Sequence, residues 1–183
     1  MVVRETMLNE QIANCKKCKL CKVLPLDLTP VVPLIGTTPK VMLITDNPRL
    51  EELMICEPIS TLEQEFLKKY IDINKLYITN LVKCNPIKIQ HGKKNDRSPL
   101  KSEINMCKDW LLSEIENLKP STIIGCGTRV NEFFLKTKDI NYYSKVDIDG
   151  MTFIPSYSIK HILNRATKDV NKFVQMLRMA VSC

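Results

Sequence analysis

The chain has 183 residues, enough for one domain with a hydrophobic core, and 44% of them are hydrophobic. Lysine and arginine number 27 against 20 acidic residues, so the formal net charge of +7 favours a polyanionic partner. No run approaches the roughly 18 apolar residues of a membrane helix, and residues 1–10 carry charges where a signal peptide is apolar. We therefore expect no membrane association and an intracellular location, in the cytoplasm or in the nucleus or nucleoid.

Three closely spaced cysteines follow a helix-compatible segment at residues 4–14. Cys15 and Cys18 form a C-x-x-C pair, a spacing that lets two thiolates reach one metal centre. Cys21 extends the run, but Pro25 stands where a bacterial ferredoxin motif has its fourth cysteine, so that motif is excluded. Because no secretory signal is expected, the eight cysteines favour a metal site over a disulfide framework.

Strand-like and helix-like segments alternate along the rest of the chain. Strands are predicted at 40–45, 76–82, 122–127 and 151–155. Helices are predicted at 62–70, 102–118, 129–135 and 167–181, with irregular connections at 23–39 and 85–100 and a turn at 145–150. This alternation predicts an α/β fold whose mostly parallel sheet is covered on both faces. Its ligand crevice should lie at the carboxyl ends of the strands, near Asp46, Asn80, Gly127 and residues 156–158.

Local sequence leaves several roles open. Asp46 follows the first strand, where catalytic carboxylates often sit, although capping the turn is the interpretation that local sequence favours. Cys107 lies inside an amphipathic helix and is either a core cysteine or a partner of Cys84 in a metal site. The basic segment 85–100 is either a solvated loop or an arm that contacts phosphates.

Two motifs are specific enough to suggest a family. They are Thr-Asn-Leu-Val-Lys-Cys at 79–84 and Glu-Ile-Asn-Met-Cys at 103–107, supported by Cys15/Cys18 and by the segments 41–44, 97–99, 120–127, 132–135 and the strand ending at Pro155. In these features the chain resembles the family 4 (iron-sulfur) uracil-DNA glycosylases along nearly its whole length. The resemblance implies one domain over residues 1–183 with a three-layer α/β/α sandwich around a four-stranded, mostly parallel sheet. It also implies that residues 1–22 pack on a metal cluster.

The resemblance assigns a ligand set for that cluster. Cys15, Cys18, Cys84 and Cys107 would hold a [4Fe-4S] cluster, whereas spacing alone equally permits a structural zinc ion. Cys21 falls outside the family pattern and is expected to be a neighbour of the cluster. The expected role of the cluster is structural, because it would tie the N-terminal segment to the central strand.

The catalytic motifs depart from the family pattern. Where family members have a Gly-Glu-Gly-Pro-Gly-like loop, this chain has Thr45-Asp46-Asn47-Pro48-Arg49. Asp46 would take the place of the carboxylate that positions water. Because glycine lets a backbone approach a base closely, Thr45 and especially Arg49 are expected to narrow or block the pocket.

The residues that would touch the base are also changed. Ile59 falls where the family has an aromatic that stacks on the flipped base, and Asn80 is retained as the residue that reads the uracil edge. Ser158 stands in place of the histidine that donates to the leaving uracil, with His161 as a possible substitute one turn later. Removing one such donor typically costs about 10²- to 10³-fold in rate. If the pocket is filled, a buried Asn80 is expected to bond to backbone instead.

Together these departures favour a DNA-binding accessory protein of replication or repair that excises uracil weakly or not at all. Replication or repair proteins would be further partners. The predicted DNA contacts are Lys93, Lys94, Arg97, Lys160 and Arg165. The alternative is an active DNA glycosylase that hydrolyses the N-glycosidic bond of uracil or of another modified base. A third possibility is a protein-interaction scaffold, against which the positive charge argues mildly.

Overall fold

The computed structural model describes residues 2–22, 24, 28–90, 93–165 and 167–182. Its helices are α1 Val2–Ala13, α2 Lys19–Lys22, α3 Leu50–Met54, α4 Thr61–Tyr70, α5 Lys101–Leu118, α6 Thr128–Leu135, α7 Ile159–Leu163 and α8 Thr167–Ser182, with a 3₁₀ helix at Ile73–Lys75. Its strands are β1 Leu34–Ile35, β2 Val41–Thr45, β3 Leu76–Asn80, β4 Ile87–Gln90, β5 Lys93–Asp96, β6 Thr122–Cys126, β7 Val146–Ile148 and β8 Met151–Ser156. Each of the four predicted strands and the four predicted helices corresponds to one of these elements.

A central sheet has the strand order β1-β3-β2-β6-β8-β7. The β2–β6 and β6–β8 pairs are parallel, and β7 runs antiparallel to β8. This confirms the predicted α/β fold with a mostly parallel central sheet flanked by helices. The edge strands β1 and β7 add to the four predicted ones, because two or three residues are too few to show a strand periodicity. Residues 145–150 were predicted as a turn, and only their second half makes one, with positive φ at Asp149 and Gly150.

The basic segment 85–100 is not an irregular loop. Strands β4 and β5 pair antiparallel, with Ile87 opposite Asp96 and Gln90 opposite Lys93, and form a hairpin whose side chains are mostly exposed. An exposed strand pair needs no alternation of apolar and polar residues, so its sequence carries no strand pattern. The prediction of an irregular connection at 85–100 was wrong for this reason.

The chain divides into two compact units, each built from three segments. Unit 1 comprises Met1–Leu34, Asp46–Pro58 and Thr79–Lys119, and unit 2 comprises Ile35–Thr45, Ile59–Ile78 and Pro120–Cys183. Unit 1 packs α1 against α5 and buries Ile12 and Leu111. The expectation of a single domain over residues 1–183 stays a prediction.

Unit 2 carries the parallel strands and a large apolar core. Strands β2, β6 and β8 bury Leu43, Ile124 and Phe153, and Phe173 of α8 packs on Phe66 of α4 at a ring-centroid distance of 6.2 Å. Helix α4 begins where Ser60 accepts from the backbone N–H of Glu63, a capping box that fixes its start. In the described part of the chain, no helix is long and apolar enough to cross a membrane.

Two local features position the residues of interest in unit 1. Every residue of β3 is buried, and the burial continues through the turn after it to residue 86, so Asn80 and Cys84 lie inside the protein. Helix α5 begins at a capping box in which Glu103 accepts from the backbone N–H of Leu100 at 2.7 Å. Because α5 carries Cys107, this cap also fixes the position of that thiol.

Candidate metal centre and base-recognition residues

The four cysteines predicted to hold a metal all belong to unit 1. Cys15 and Cys18 lie between α1 and α2, Cys84 lies in the turn after β3, and Cys107 lies on α5. Cys84 and Cys107 are buried, Cys15 and Cys18 are half-buried, and all four are free thiols. The fold therefore draws thiols from three separate segments into one compact unit.

Several N–H groups point at these sulfurs. The indole Nε1 of Trp110 donates to Cys15 Sγ at 3.4 Å, and the backbone N of Lys17 approaches the same sulfur at 3.5 Å. The backbone N of Lys83 donates to Cys107 Sγ at 3.4 Å. Such N–H···S bonds stabilise thiolates and tune the sulfur ligands of iron-sulfur clusters.

The thiols also influence one another electrostatically. Burial, followed by repulsion from Cys107, Cys18, Cys21 and Cys15, raises the pKa of the Cys84 thiol far above its ordinary value. Burial likewise raises the pKa of Cys107 to about 11, although the backbone N–H and the charge of Lys83 oppose the increase. Without a cation these buried thiols stay protonated, and a bound cation would favour their deprotonation.

The donor set fits a thiolate-ligated metal or cluster in its chemistry. It consists of four cysteines, two of them in a C-x-x-C pair, with N–H groups directed at two of the sulfurs. In the ranges that the structure describes, no group of three or more His, Cys, Asp or Glu side chains is close enough to hold a metal ion. Binding would therefore require the sulfurs to close around the metal.

A buried ion pair lies next to the cysteines. The Lys83 ammonium lies 2.7 Å from both Glu114 carboxylate oxygens and donates to Thr79 Oγ1 at 2.5 Å, while the Thr79 hydroxyl donates to the same carboxylate. Lys83 is 1% exposed and Glu114 is 0% exposed. This triad joins the segment that carries Asn80 and Cys84 to the helix that carries Cys107. Sequence reasoning missed the triad, although Glu114 follows Cys107 and Leu111 at the helical spacing of a buried face.

Asn80, predicted to read the base, is 1% exposed at the end of β3. Its side-chain amide nitrogen donates to the backbone carbonyl of Pro58 at 2.8 Å. A buried Asn was expected to bond to backbone if the pocket is filled, and the structure contains such a bond. The amide N–H that makes it is not directed at a base in this conformation.

The loop after β2 is anchored at both ends. The backbone carbonyl of Asp46 accepts from the N–H of Val82 at 3.0 Å, which holds Asp46 beside the segment that follows Asn80. Arg49 forms an ion pair with Glu52, and its backbone N–H donates to the same carboxylate at 2.6 Å. The Arg49 side chain is therefore bound along α3, a pairing that the i,i+3 spacing of Arg and Glu could have indicated.

The sequence that forms this fold and these sites can be compared with known proteins. The family model described as the uracil DNA glycosylase superfamily matches residues 32–180. The chain belongs to the uracil-DNA glycosylase superfamily. It is 26% identical to the type-4 uracil-DNA glycosylase of Thermotoga maritima over 95% of this chain and 92% of the relative. It is 25% identical to that of Sulfurisphaera tokodaii over 85% of this chain and 69% of the relative. The resemblance to this family is thereby confirmed.

In this member of the superfamily, unit 2 contains Ser158 and His161, which we call the late motif. Ser158 is the N-cap of α7, and its Oγ accepts from the backbone N–H of His161 at 3.2 Å. His161 is exposed, and its Nε2 accepts from Arg165 Nε at 2.7 Å, so the proton of the neutral imidazole is on Nδ1. Ile59, expected at the stacking position, is 1% exposed and part of the core of unit 2.

The five residues predicted to contact DNA differ in their surroundings. Lys93, Lys160 and Arg165 are exposed, whereas the side chain of Lys94 lies outside the described part of the chain. Arg97 forms a two-pronged ion pair with Glu103, and its guanidinium also donates to the backbone carbonyls of Ile87 and Ser98. Those bonds give Arg97 a clear role within the protein, at the start of α5.

Proposed function

We propose that this protein is a DNA-binding iron-sulfur member of the uracil-DNA glycosylase superfamily in which uracil excision is weak or absent. The observation that carries the proposal is the 2.8 Å hydrogen bond from the Asn80 amide to the Pro58 carbonyl. That bond occupies one of the two N–H groups of the Asn80 amide and fixes the orientation of the side chain that would read the uracil edge. Asn80 is buried, so breaking the bond leaves a carbonyl to be satisfied, at a typical cost of about 1–3 kcal/mol.

The late motif supports the same proposal. Ser158 uses its oxygen to cap α7, and its single hydroxyl proton is the only donor it offers to a leaving group. His161 uses Nε2 to accept from Arg165, which leaves Nδ1–H as its donor. A site that lacks one preorganised donor to developing negative charge is expected to be about 10²- to 10³-fold slower.

For the cofactor, we propose a [4Fe-4S] cluster on Cys15, Cys18, Cys84 and Cys107, with structural zinc as the alternative. Support comes from the four thiols in one unit and from the N–H groups of Trp110 and Lys83 that approach two of them. When bound, the cluster would supply a cross-link between three chain segments. The four cysteines would hold it, with Cys84 and Cys107 buried and Cys15 and Cys18 half-buried.

For the partner, we propose DNA, with replication or repair proteins as further partners. The names of the relatives state that those enzymes act on uracil in DNA. Support from this chain is the formal charge of +7 and the exposed side chains of Lys93, Lys160 and Arg165. Lys94 and Arg97 are further proposed contacts, and the guanidinium of Arg97 also holds the start of α5 through Glu103.

The decisive experiment measures binding and base release on one sample. Duplex and single-stranded DNA, each with and without uracil, are titrated at two salt concentrations, and free uracil is then quantified. We expect salt-dependent affinity with base release at least about 10²-fold slower than that of an active type-4 enzyme. Brisk uracil release would refute the proposal, and affinity that is insensitive to salt would refute the DNA-binding part.

A matched pair of variants tests the phosphate contacts. Lys160→Ala should reduce the slope of log affinity against log salt by about one. Lys138→Ala removes an exposed lysine that is not among the proposed contacts, and it should leave the slope unchanged. Equal slopes for both variants would show that Lys160 makes no phosphate contact.

An active glycosylase is the second candidate. It is favoured by the hydrogen bond between Val82 N and the Asp46 carbonyl, which keeps a carboxylate-bearing loop beside the segment after Asn80. In that case, the altered residues around the pocket would select a modified base other than uracil. Abasic-site formation on DNA that carries other modified bases, with none on uracil, would support this candidate over the first.

A further inference from the structure

The hairpin β4–β5 forms a small sheet of its own. In the part of the chain that the structure describes, its two strands of four residues pair with each other and not with the central sheet. An isolated two-stranded hairpin is only marginally stable in water. The conformation of this one therefore depends on the contacts that hold its base.

Those contacts fix both strand ends to unit 1. The buried Asn85 donates from its side-chain nitrogen to the Asp96 carboxylate at 2.9 Å. The backbone N–H of Arg97 donates to the carbonyl of Pro86 at 3.0 Å, and its guanidinium forms the two-pronged ion pair with Glu103 on α5. The base of the hairpin is thus held by a buried amide on one side and by a helix start on the other.

One face of the hairpin carries side chains of the kind that read DNA bases. Lys88 lies opposite Asn95 and Gln90 lies opposite Lys93, so these four side chains share one face, and all four are exposed. Asn and Gln form paired hydrogen bonds with adenine, and Lys donates to the O6 and N7 acceptors of guanine. Asn95 also donates one N–H to the carbonyl of Lys93 at 3.3 Å, which leaves its second N–H and its amide oxygen for a ligand.

The dimensions of the hairpin match one groove of duplex DNA. At about 3.4 Å per residue, a strand of four residues spans about 10 Å, or about three base-pair steps. Two strands about 4.8 Å apart fit the major groove of B-DNA, which is about 12 Å wide and admits a two-stranded ribbon. The minor groove is about 6 Å wide, and the major groove of A-form RNA is too deep and narrow for side chains to read.

The charge of the segment also suits this partner. Residues 85–97 contain four basic residues, Lys88, Lys93, Lys94 and Arg97, against one acidic residue, Asp96. The exposed face described above contains two lysines and two amides, with no apolar side chain to bury against another protein. Its chemistry therefore fits a polyanion that presents hydrogen-bonding edges, which is what the groove of a DNA duplex provides.

We propose that the β4–β5 hairpin enters the major groove of duplex DNA and reads about three base pairs with Lys88, Gln90, Lys93 and Asn95. This inference rests on the DNA binding proposed above, and it adds the form of the DNA, the groove and the residues that give sequence preference. Gln90 and Asn95 select adenine, while the two lysines contact guanine or the flanking phosphates.

The test begins with a library of DNA duplexes whose central base pairs are randomised. Duplexes bound by the full-length wild type are sequenced, and the most enriched one is made again with 7-deazapurines, which lack the N7 acceptors of the major groove and leave the minor groove unchanged. Fluorescence anisotropy then gives the affinity of both duplexes for the wild type and for Q90A/N95A. The matched control is Q175A, which removes an exposed glutamine of α8. The enriched sequence is also measured as a single strand and as an RNA duplex.

We expect the wild type to enrich a core of about three base pairs. The 7-deazapurines and Q90A/N95A should each weaken binding to the enriched DNA duplex by about 5- to 150-fold per lost contact, and Q175A should bind like the wild type. Because both changes remove the same contacts, their effects should not add. Q90A/N95A should bind the single strand and the RNA duplex as the wild type does.

The contrary results separate this inference from the function on which it rests. Salt-dependent binding of DNA without an enriched core, or with no response to 7-deazapurines, would overturn the major-groove inference and leave DNA binding in place. That comparison uses only the wild type, so it decides the matter even if Q90A/N95A does not fold. A wild type with no affinity for any of these nucleic acids would overturn both proposals.

Discussion

Replacing Lys83 by Met tests how the interior of unit 1 is held together. The substitution removes an ammonium that lies 2.7 Å from both oxygens of a carboxylate with 0% exposure. At that distance and an effective dielectric constant of about 20, the attraction is about 6 kcal/mol, part of which offsets the cost of desolvating both charges. Breaking one side of a buried pair typically costs about 3–5 kcal/mol. Since whole domains are stable by about 5–15 kcal/mol, K83M should be near the limit of folding.

The control is the double variant Lys83→Met with Glu114→Leu. It removes both charges, so the uncompensated carboxylate is gone, and most of the lost stability should return even though Thr79 loses its acceptor. Guanidinium unfolding followed by circular dichroism gives the free energy of unfolding for the wild type and both variants. A double variant as unstable as K83M would refute the charge argument.

The pH dependence provides an independent check on the same variant. Burial raises the pKa of Glu114, and in the wild type Lys83 and Thr79 oppose that increase. A carboxyl whose pKa is higher in the folded state than in the unfolded state contributes stability at low pH. That stability is lost as pH rises through the pKa of the folded state. In K83M the opposing ammonium is gone, so the deficit relative to the wild type should shrink as pH falls. A deficit that is independent of pH would mean that lost packing, not charge, is responsible.

Three further predictions concern separate features of the chain. Asp46→Asn should abolish any abasic-site formation while leaving DNA affinity unchanged, measured by strand cleavage at abasic sites and by titration. Glu103→Gln should lower the free energy of unfolding by about 1 kcal/mol near neutral pH, because this partly exposed ion pair also caps α5. Cys84→Ser should reduce iron content more than about tenfold, because a buried ligand is lost from the set.

The Glu103 prediction has a defined pH window. Burial opposes ionisation, but hydrogen bonds from Arg97 and Leu100 and the charge of Arg97 together lower the pKa of Glu103 below its ordinary value of 4.5. A carboxyl whose pKa is lowered by folding contributes stability when pH is above the pKa of the unfolded state. That stability is lost as pH falls through the pKa of the folded state. The difference between wild type and E103Q should therefore shrink as pH falls below 4.5 and vanish once pH is below the lowered pKa of the folded state. A difference that stays constant as the protein is acidified through this range would contradict the assigned ion pair.

Controls for the other two predictions use neighbouring residues. Unchanged activity in D46N would show that Asp46 has no catalytic role, and Asn47→Asp in the same loop tests whether charge alone matters. For the metal, Cys126→Ser removes a buried cysteine of unit 2 that is not assigned as a ligand, so its iron content should match the wild type. Equal iron loss in both cysteine variants would point to general unfolding.

Much of the fold was predictable because its elements bury one face and therefore show a period. Strand β3 and helix α5 were predicted nearly to their observed ends, since the first is wholly buried and the second ends at Leu118, two residues before Pro120. The hairpin β4–β5 was not predictable in this way, because its exposed strands need no apolar pattern. Short helices α3 and α7 were missed for a similar reason, since five residues cover little more than one turn.

The candidate site was predictable in its composition but not in its bonding. The motif that ends at Cys84 identified Asn80, yet only coordinates reveal that its amide bonds to the carbonyl of Pro58, 22 residues earlier in the chain. Likewise, the basic segment suggested a DNA contact for Arg97, but nothing in the sequence indicated that its guanidinium also bonds to Glu103. A residue type shows what a side chain can do, but its partner depends on which segments the fold brings together.

Stability and chemistry depend on different residues of the same short segment. Thr79 and Lys83 bond to Glu114, and Cys84 adjoins them, so this part of the motif secures the interior whether or not a base is ever bound. Asn80 lies between them and is the one residue of the motif predicted to contact substrate. Under the proposed function, the chain keeps the motif for its core while Ser158 and Arg49 stand where the resemblance expects catalytic or pocket residues of another type. Because the motif stabilises the interior in this way, its presence alone does not establish activity. Activity has to be judged from the partners of Asn80, and one of them here is the carbonyl of Pro58.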